Sequence, residues 1–231
     1  MPRYTTFFGD KVYISNWGVD GFTGSVAVYN PSTSSIEKTI ATGSGAERME
    51  LVNTQLYVTN VGGFGRDSTV AVIDTNTDEV STLIVVGDNP SSIEEDANGA
   101  IWVLCKGYLD WYDASNNTNG ALVKIINNEV ALSIELPNGA DDLVISPDGN
   151  TLYFTASGAV MQHDINDTAL AANPTLINRN FYALGIDTNG NILGGDAGDF
   201  TANGSVVIYD NGGNELESFE SGIIPTNFFV K

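Results

Sequence analysis

Leu56-Tyr57-Val58-Thr59-Asn60-Val61-Gly62 is a β-branched and aromatic run that stops at a glycine, and it has four relatives along the chain. Two are close: Val12-Tyr13-Ile14-Ser15-Asn16-Trp17-Gly18 and Ile101-Trp102-Val103-Leu104-Cys105-Lys106-Gly107. Two are weaker: Leu152-Tyr153-Phe154-Thr155-Ala156-Ser157-Gly158 and Ile192-Leu193-Gly194-Gly195-Asp196-Ala197-Gly198. Successive starts lie 44, 45, 51 and 40 residues apart. A period of this size, holding several short strands, is the signature of a β-propeller in which each repeat is one sheet, or blade. The expected fold is all-β, with five blades of four antiparallel strands.

Around the quoted run, residues 48–52 read as a first strand, 55–60 as a second, 69–73 as a third and 80–86 as a fourth. Asn53-Thr54 and Asp74-Thr75-Asn76-Thr77-Asp78 supply the reversals, where Asn and Asp reach positive φ or cap the turn through their side chains. Third strands align at 25–29, 69–73, 121–125, 159–163 and 205–209. Helical periodicity is absent, and turn signals recur at the short spacing of all-β domains. Residues 1–231 therefore read as one propeller domain, with blades near 2–43, 44–87, 88–136, 137–178 and 179–224 and a closing strand at 225–231.

First strands outnumber the others. They recur at 2–8, 48–52, 91–95, 142–146, 182–187 and 226–230, against five copies of each other type. In many propellers the last strand completes the first blade, but here residues 2–8 already fill that place. The mismatch leads to the expectation that the chain is the C-terminal part of a larger ring; a five-bladed ring with one redundant strand is the competing arrangement.

The chain carries 29 acidic and 9 basic residues, a net charge of −20. Such a charge repels phosphate backbones and anionic bilayers, so neither nucleic acid nor an acidic membrane is an expected partner. The acids are spread through turns and read as a solvated surface. No stretch approaches the roughly 20 apolar residues of a membrane-spanning helix. Met1-Pro2-Arg3-Tyr4 opens without an apolar run or a lipid-anchoring cysteine, so no export signal is expected in this sequence. The single cysteine, Cys105, lies in an apolar strand and reads as a buried thiol.

Tyr57-Val58-Thr59-Asn60 is the tetrapeptide of the YVTN/YncE-like β-propeller repeat family, and Val70-Ala71-Val72-Ile73-Asp74 with Ile84-Val85-Val86-Gly87-Asp88-Asn89-Pro90 continues that pattern. The run at 101–107, Gly194-Gly195-Asp196-Ala197-Gly198-Asp199-Phe200, Gly222-Ile223-Ile224-Pro225 and Phe228-Phe229-Val230-Lys231 further resemble seven-bladed surface lipoprotein propellers of Bacteroidetes, a domain of unknown function with a BtuG-like branch. The similarity runs along essentially the whole chain and matches the last five of seven blades. It implies a cell-surface or periplasmic setting, a small-molecule or nutrient ligand (cobalamin in the BtuG-like branch), and a TonB-dependent outer-membrane transporter as partner. The sequence departs from that family in lacking a signal peptide, a lipid-anchoring cysteine and two blades, so ligand identity does not carry over.

Catalytic sets are scarce. His163 is the only histidine, which removes multi-histidine metal sites and a Ser-His-Asp triad from this chain. Residues 74–78 have alternating oxygen ligands but lack the later glycine and glutamate of a calcium loop, and read as a hairpin turn. Gly62-Gly63-Phe64-Gly65 precedes no helix that could present a phosphate site. Asp20, Asp67, Asp110, Asp113 and Asp199 could pair as hydrolytic carboxylates, but nothing in their surroundings marks one as a proton donor.

Aromatic loop residues carry the functional expectation. Loops joining second to third strands gather on one face, and they hold Trp17, Asp20, Phe22, Phe64, Arg66, Tyr108, Trp111, Tyr112 and Phe200. Rings beside polar groups suit a flat, polar-edged ligand or a sugar. Loops joining fourth to first strands share that face and add Arg48 and Arg179, which together with Arg66 are the expected contacts for an anionic group. The third loop, 106–120, is the longest, and insertions in repeat proteins map to binding faces. The expectation is a non-enzymatic surface propeller that binds a small molecule or nutrient, with no catalytic, metal or cofactor residues. A protein-interaction scaffold is the alternative, and a propeller lyase or glycoside hydrolase the third reading.

Overall fold

The computed structural model describes residues 1–229. Twenty strands form five four-stranded antiparallel sheets, each built from four consecutive strands. Blade one comprises β1 (Pro2–Phe8), β2 (Lys11–Asn16), β3 (Ser25–Asn30) and β4 (Ser35–Ala41). Blade two comprises β5 (Ala46–Val52), β6 (Gln55–Asn60), β7 (Thr69–Asp74) and β8 (Glu79–Val85). Blade three comprises β9 (Pro90–Glu95), β10 (Ile101–Cys105), β11 (Gly120–Ile126) and β12 (Glu129–Leu136). Blade four has β13 (Asp141–Ile145), β14 (Thr151–Ala156), β15 (Ala159–Asp164) and β16 (Thr175–Ile177), and blade five has β17 (Ala183–Ile186), β18 (Ile192–Asp196), β19 (Ser205–Tyr209) and β20 (Glu215–Glu220). The one helical piece among the described residues is a 3-10 turn, Ala114–Asn116.

The blades fall into two compact units. The first spans 1–95 and 99–139 and holds blades one to three; the second spans 96–98 and 140 onward and holds blades four and five. In the first unit, two apolar cores separate the blades. Tyr13, Val26, Val28, Leu56, Val58, Ala71 and Ile73 fill the core between blades one and two. Tyr57, Val70, Val72, Ile93, Val103, Val123 and Ile125 fill that between blades two and three. Blade two is thus buried on both faces, which is why β6 and β7 are nearly continuous apolar runs and not alternating ones. In the second unit Tyr153, Val160, Phe181, Leu184, Ile192 and Val207 form the corresponding core between blades four and five.

Each residue of the Tyr57-Val58-Thr59-Asn60 tetrapeptide has a physical role. Tyr57 reaches across to blade three, where its hydroxyl donates to Asn128 Oδ1 at 2.6 Å. Val58 fills the core on the opposite face. Thr59 Oγ1 accepts from Arg48 N (3.0 Å) and donates to Arg48 O (3.2 Å), closing a bulge in β5 where the register shifts between Ala46 and Met49. Asn60 sits at the loop end and donates to Thr69 Oγ1. Ser15 serves a matching bulge in β1 through Tyr4 N, and Thr155 one in β13 through Asp141 O.

The closing strand expected at 225–231 is not formed over 225–229, and residues 230 and 231 lie outside the described residues. Residues 225–228 lie instead against the glycine-rich face of blade five: Pro225 faces Gly195 and Phe228 faces Gly185. The Phe228 side chain and the Pro225 ring and carbonyl make these contacts, and no strand pairing forms over 225–229.

Candidate functional site

In the first unit the bulges of β1 and β5 shape one end of that unit. A bulge inserts an extra residue and re-aims its neighbours; here Arg3 and Tyr4 are re-aimed in β1, Glu47 and Arg48 in β5. Arg3 forks onto Glu47, Nε to Oε2 at 2.9 Å and Nη2 to Oε1 at 2.8 Å. Trp17 Nε1 donates to the same Glu47 Oε2 at 2.7 Å. The Arg3 guanidinium stacks 4.6 Å from the Trp17 ring, and that of Arg48 lies 4.2 Å from Tyr4. Glu47 is buried and its bidentate partner fixes it, so the cluster is rigid.

Above it the loops are fastened to one another by their backbones. Phe64 N donates to Gly21 O, Val61 N to Gly45 O and Gly62 N to Ser44 O. Gly63 has φ +58°, and a Cβ there would run into the Gly21 carbonyl, so only glycine lets the two loops meet. Asp67 braces the same junction by accepting from Ser44 N, Ser68 N and Thr69 N. On this base Phe64 forms edge-to-face contacts with Trp17 at 5.8 Å and Phe22 at 6.1 Å. Phe22 remains 52% and Phe64 67% exposed.

Arg66 belongs to a second group. It forks onto Asp88 at 2.9 and 2.6 Å and lies 5.0 Å from the Tyr108 ring, while Thr118 Oγ1 adds a third bond to Asp88. Burial opposes ionisation of Asp88, but the bonds from Arg66 and Thr118 outweigh it and hold the carboxyl below its usual range. Its charge is therefore matched inside the fold. The third loop, which supplies Tyr108 to this group, leaves Trp111 and Tyr112 exposed.

The acids singled out in the sequence mostly build turns. Asp20 accepts from Thr23 Oγ1, Phe22 N and Thr23 N, bonds that lower its pKa to about 2. Asp110, Asp113 and Asp199 cap their loops in the same way. The 74–78 segment is a hairpin turn: Asp78 accepts from Tyr13 and Lys11, and Asp74 caps Asn76. Among the described residues no group of three or more His, Cys, Asp and Glu side chains is placed to hold a metal. His163 is 3% exposed in β15, and burial, the largest influence on the enclosed Cys105 thiol, pushes its pKa far up.

The structure adds a pair the sequence did not reveal. In the first unit β5 packs beside β9, bringing Glu50 and Glu94 into electrostatic contact on the innermost strands. Both are partly buried, and neither carboxylate makes a hydrogen bond or ion pair among the described residues. Burial first, then the charge of Glu95, raises Glu50 to about 7. Burial first, then the charge of Glu50, raises Glu94 to about 8, against an opposing pull from Arg48. At roughly 3.3 Å per residue, Glu50 stands about 10 Å along β5 from Glu47. No motif marks these residues; Glu50 shares β5 with Glu47 and Glu94 stands next to Glu95 in β9, and only the packing of first strands joins Glu50 to Glu94.

In the second unit Arg179 donates to Asp196 at 2.7 Å and lies 5.4 Å from the Phe181 ring. Phe200, at φ +66°, meets Tyr182 edge-to-face at 5.5 Å. A shallow cavity of about 340 Å³ opens beside them, lined by Asp196, Asn203, Ser205, Ser218 and Glu220 among others. The sequence-derived set is thus distributed: Trp17, Phe22 and Phe64 come together, Arg66 joins Tyr108, Arg48 joins Tyr4, and Arg179 and Phe200 occupy the second unit.

No family model and no curated protein sequence matches the chain. Solved structures do match. Kuenenia stuttgartiensis hydrazine synthase superposes with a TM-score of 0.64 at 18% identity over 91% of this chain, which spans 64% of the length of that one. The calcium-binding protein regucalcin from Agrobacterium tumefaciens gives 0.57 at 15% identity over 95% of this chain and 74% of its own. A luciferin-regenerating enzyme gives 0.54 at 12% identity over 95% and 76%. Two of the three are named as enzymes, which overturns the expectation of a non-enzyme: that expectation rested on the absence of familiar catalytic motifs in the sequence, and the fold is one that enzymes also use. At these identities the likeness establishes architecture, and the chain is a β-propeller.

Proposed function

We propose that the loop end of the first unit binds a small organic molecule with a flat apolar part and polar edges. The carrying observation is the Trp17–Phe22–Phe64 cluster, whose outer rings stay in water although their loops are locked by backbone hydrogen bonds. Preformed apolar faces beside a rigid Arg3–Glu47 pair offer stacking and orientation together. The resemblance of residues 101–107, 194–200, 222–225 and 228–231 to the Bacteroidetes surface propellers supports a nutrient ligand passed to an outer-membrane transporter, in a surface or periplasmic setting. A panel of corrinoid, haem, siderophore and glycan ligands, screened by thermal shift and calorimetry, tests this. One member should bind, and Phe64→Ala should weaken it about ten-fold. A panel without a binder, or one indifferent to Phe64, would remove the assignment.

A second reading is favoured by Glu50 and Glu94. Unpartnered acids with pKa values near neutrality are suited to give and take protons at working pH. In this reading the bound molecule is also transformed by acid–base chemistry. Glu50→Gln and Glu94→Gln should then abolish turnover while leaving calorimetric affinity within about two-fold; equal turnover in both variants would exclude it.

A further inference from the structure

We infer that the Asp110-Trp111-Tyr112-Asp113 tip docks onto a basic face of a second protein. The tip stands on the longest loop, between β10 and β11, and its mount is rigid. Tyr108 and Thr118 bond across the neck, Tyr108 N to Thr118 Oγ1 and Thr118 N to Tyr108 O, both at 3.0 Å. Asn138 Nδ2 clamps the same neck by donating to both carbonyls. Nearer the tip, Asp110 N donates to Asn117 Oδ1 at 2.7 Å, and Asp110 Oδ1 accepts from Tyr112 N and Asp113 N.

On this mount Trp111 is 86% exposed and Tyr112 101%, with Leu109 at 43% beside them. Neither ring has an aromatic or hydrogen-bonding partner for its side chain among the described residues. A small molecule stacked on rings this open would keep its own far side in water and gain little. A protein surface supplies the opposing wall and excludes that water, as aromatic anchors at interfaces require.

Charge selects the partner. Residues 109–119 contain no Lys or Arg, and Asp110 and Asp113 flank the rings on a chain of net charge −20. Asp113 uses only Oδ1 for its cap, accepting from Ser115 N and Oγ, so Oδ2 faces out without a bond. Arginine or lysine heads can lie over the ring faces while meeting these carboxylates, joining cation–π attraction to ion pairing. Acidic proteins and anionic bilayers are repelled. This interface uses residues other than the Trp17–Phe22–Phe64 cluster, so either assignment can fail alone.

The test uses the full chain with a synthetic arginine–glycine peptide, a glutamate–glycine peptide and phosphatidylcholine vesicles as probes, read by calorimetry. The arginine peptide should bind and the other two should not. Trp111→Ala/Tyr112→Ala keeps every charge and should weaken binding about ten-fold or more. Asp113→Asn keeps the cap and should weaken it a few-fold. Both substitutions alter exposed side chains, and an unchanged melting temperature confirms folding. The proposal is overturned if the double variant binds like the parent, which reduces the contact to charge alone, if the vesicles bind instead, or if no probe binds.

Discussion

The Tyr57 hydroxyl donates to Asn128 Oδ1 at 2.6 Å, tying the second strand of blade two to a turn of blade three. The same latch joins blades one and two, where Tyr13 donates to Asp78 at 2.6 Å. Asn128 and Asp78 both hold positive φ, 64° and 55°, so each residue makes its turn and receives the neighbouring blade at once. Phenylalanine at either tyrosine keeps the apolar packing and deletes the latch. Tyr57→Phe should cost about 1 kcal/mol, and Tyr13→Phe about 1–2 kcal/mol because the bond it removes is to a carboxylate, leaving Asp78 with its Lys11 partner. Urea unfolding midpoints measure both; an unchanged midpoint would show that the blades are joined by apolar contact alone.

Thr59→Val preserves shape and removes the hydroxyl that closes the β5 bulge. Arg48 N and O both lose the bonds that Thr59 gives them, at 3.0 and 3.2 Å. Stability should fall by about 1–3 kcal/mol. Because the bulge aims Glu47 and Arg48, binding at the Trp17 cluster should weaken in the same variant. Loss of stability without loss of affinity would separate the bulge from the site.

Repeat spacing and the tyrosine-to-asparagine motif made the five blades legible, because strand ends and turns are written locally in Asn, Asp and Gly. The ring-bearing loops were legible for the same reason. What the sequence concealed is how loops are shared out. Arg66 reads as a free cation until Asp88, 22 residues on, is seen to hold it in a bidentate pair. Glu50 and Glu94 read as surface acids, since nothing local distinguishes a strand edge in water from one packed beside another first strand. Such pairings depend on how blades stack, and no short motif records that.

The raised pKa values of Glu50 and Glu94 make stability depend on pH in a stated direction. In the unfolded chain both titrate near the ordinary 4.5, whereas in the fold they titrate at about 7 and about 8. Between these limits the unfolded state has released protons that the folded state still holds, so stability falls as pH rises from about 5 to about 8. A tenfold change in proton affinity corresponds to about 1.4 kcal/mol, and partial solvent contact reduces this, leaving a loss on the order of 2 kcal/mol for the pair. Turn aspartates such as Asp110 and Asp113, held low by bonds from Asn116 and Ser115, act in the opposite sense only in strong acid. Melting temperatures of the parent should decline over that window, and those of Glu50→Gln/Glu94→Gln should stay flatter. Parallel curves would place the pH dependence elsewhere.

Gly194→Ala tests why β18 carries two adjacent glycines. Neither takes positive φ, so backbone freedom does not require them, and alanine would ordinarily favour a strand. Packing decides the sign. A Cβ on Gly194 would meet the Phe181 ring at 2.5–2.6 Å, and Phe181 is 4% exposed in the core of the second unit, edge-to-face with Tyr209. The ring cannot retreat without disturbing Tyr209, so Gly194→Ala should destabilise by about 1–3 kcal/mol. Phe181→Leu alone should also destabilise, through lost ring contacts. In the double variant the smaller side chain makes room for the methyl group, and the two losses should sum to less than their separate values. A double-mutant cycle on urea midpoints measures that coupling. Additive losses would mean that Gly194 serves the strand and not the ring.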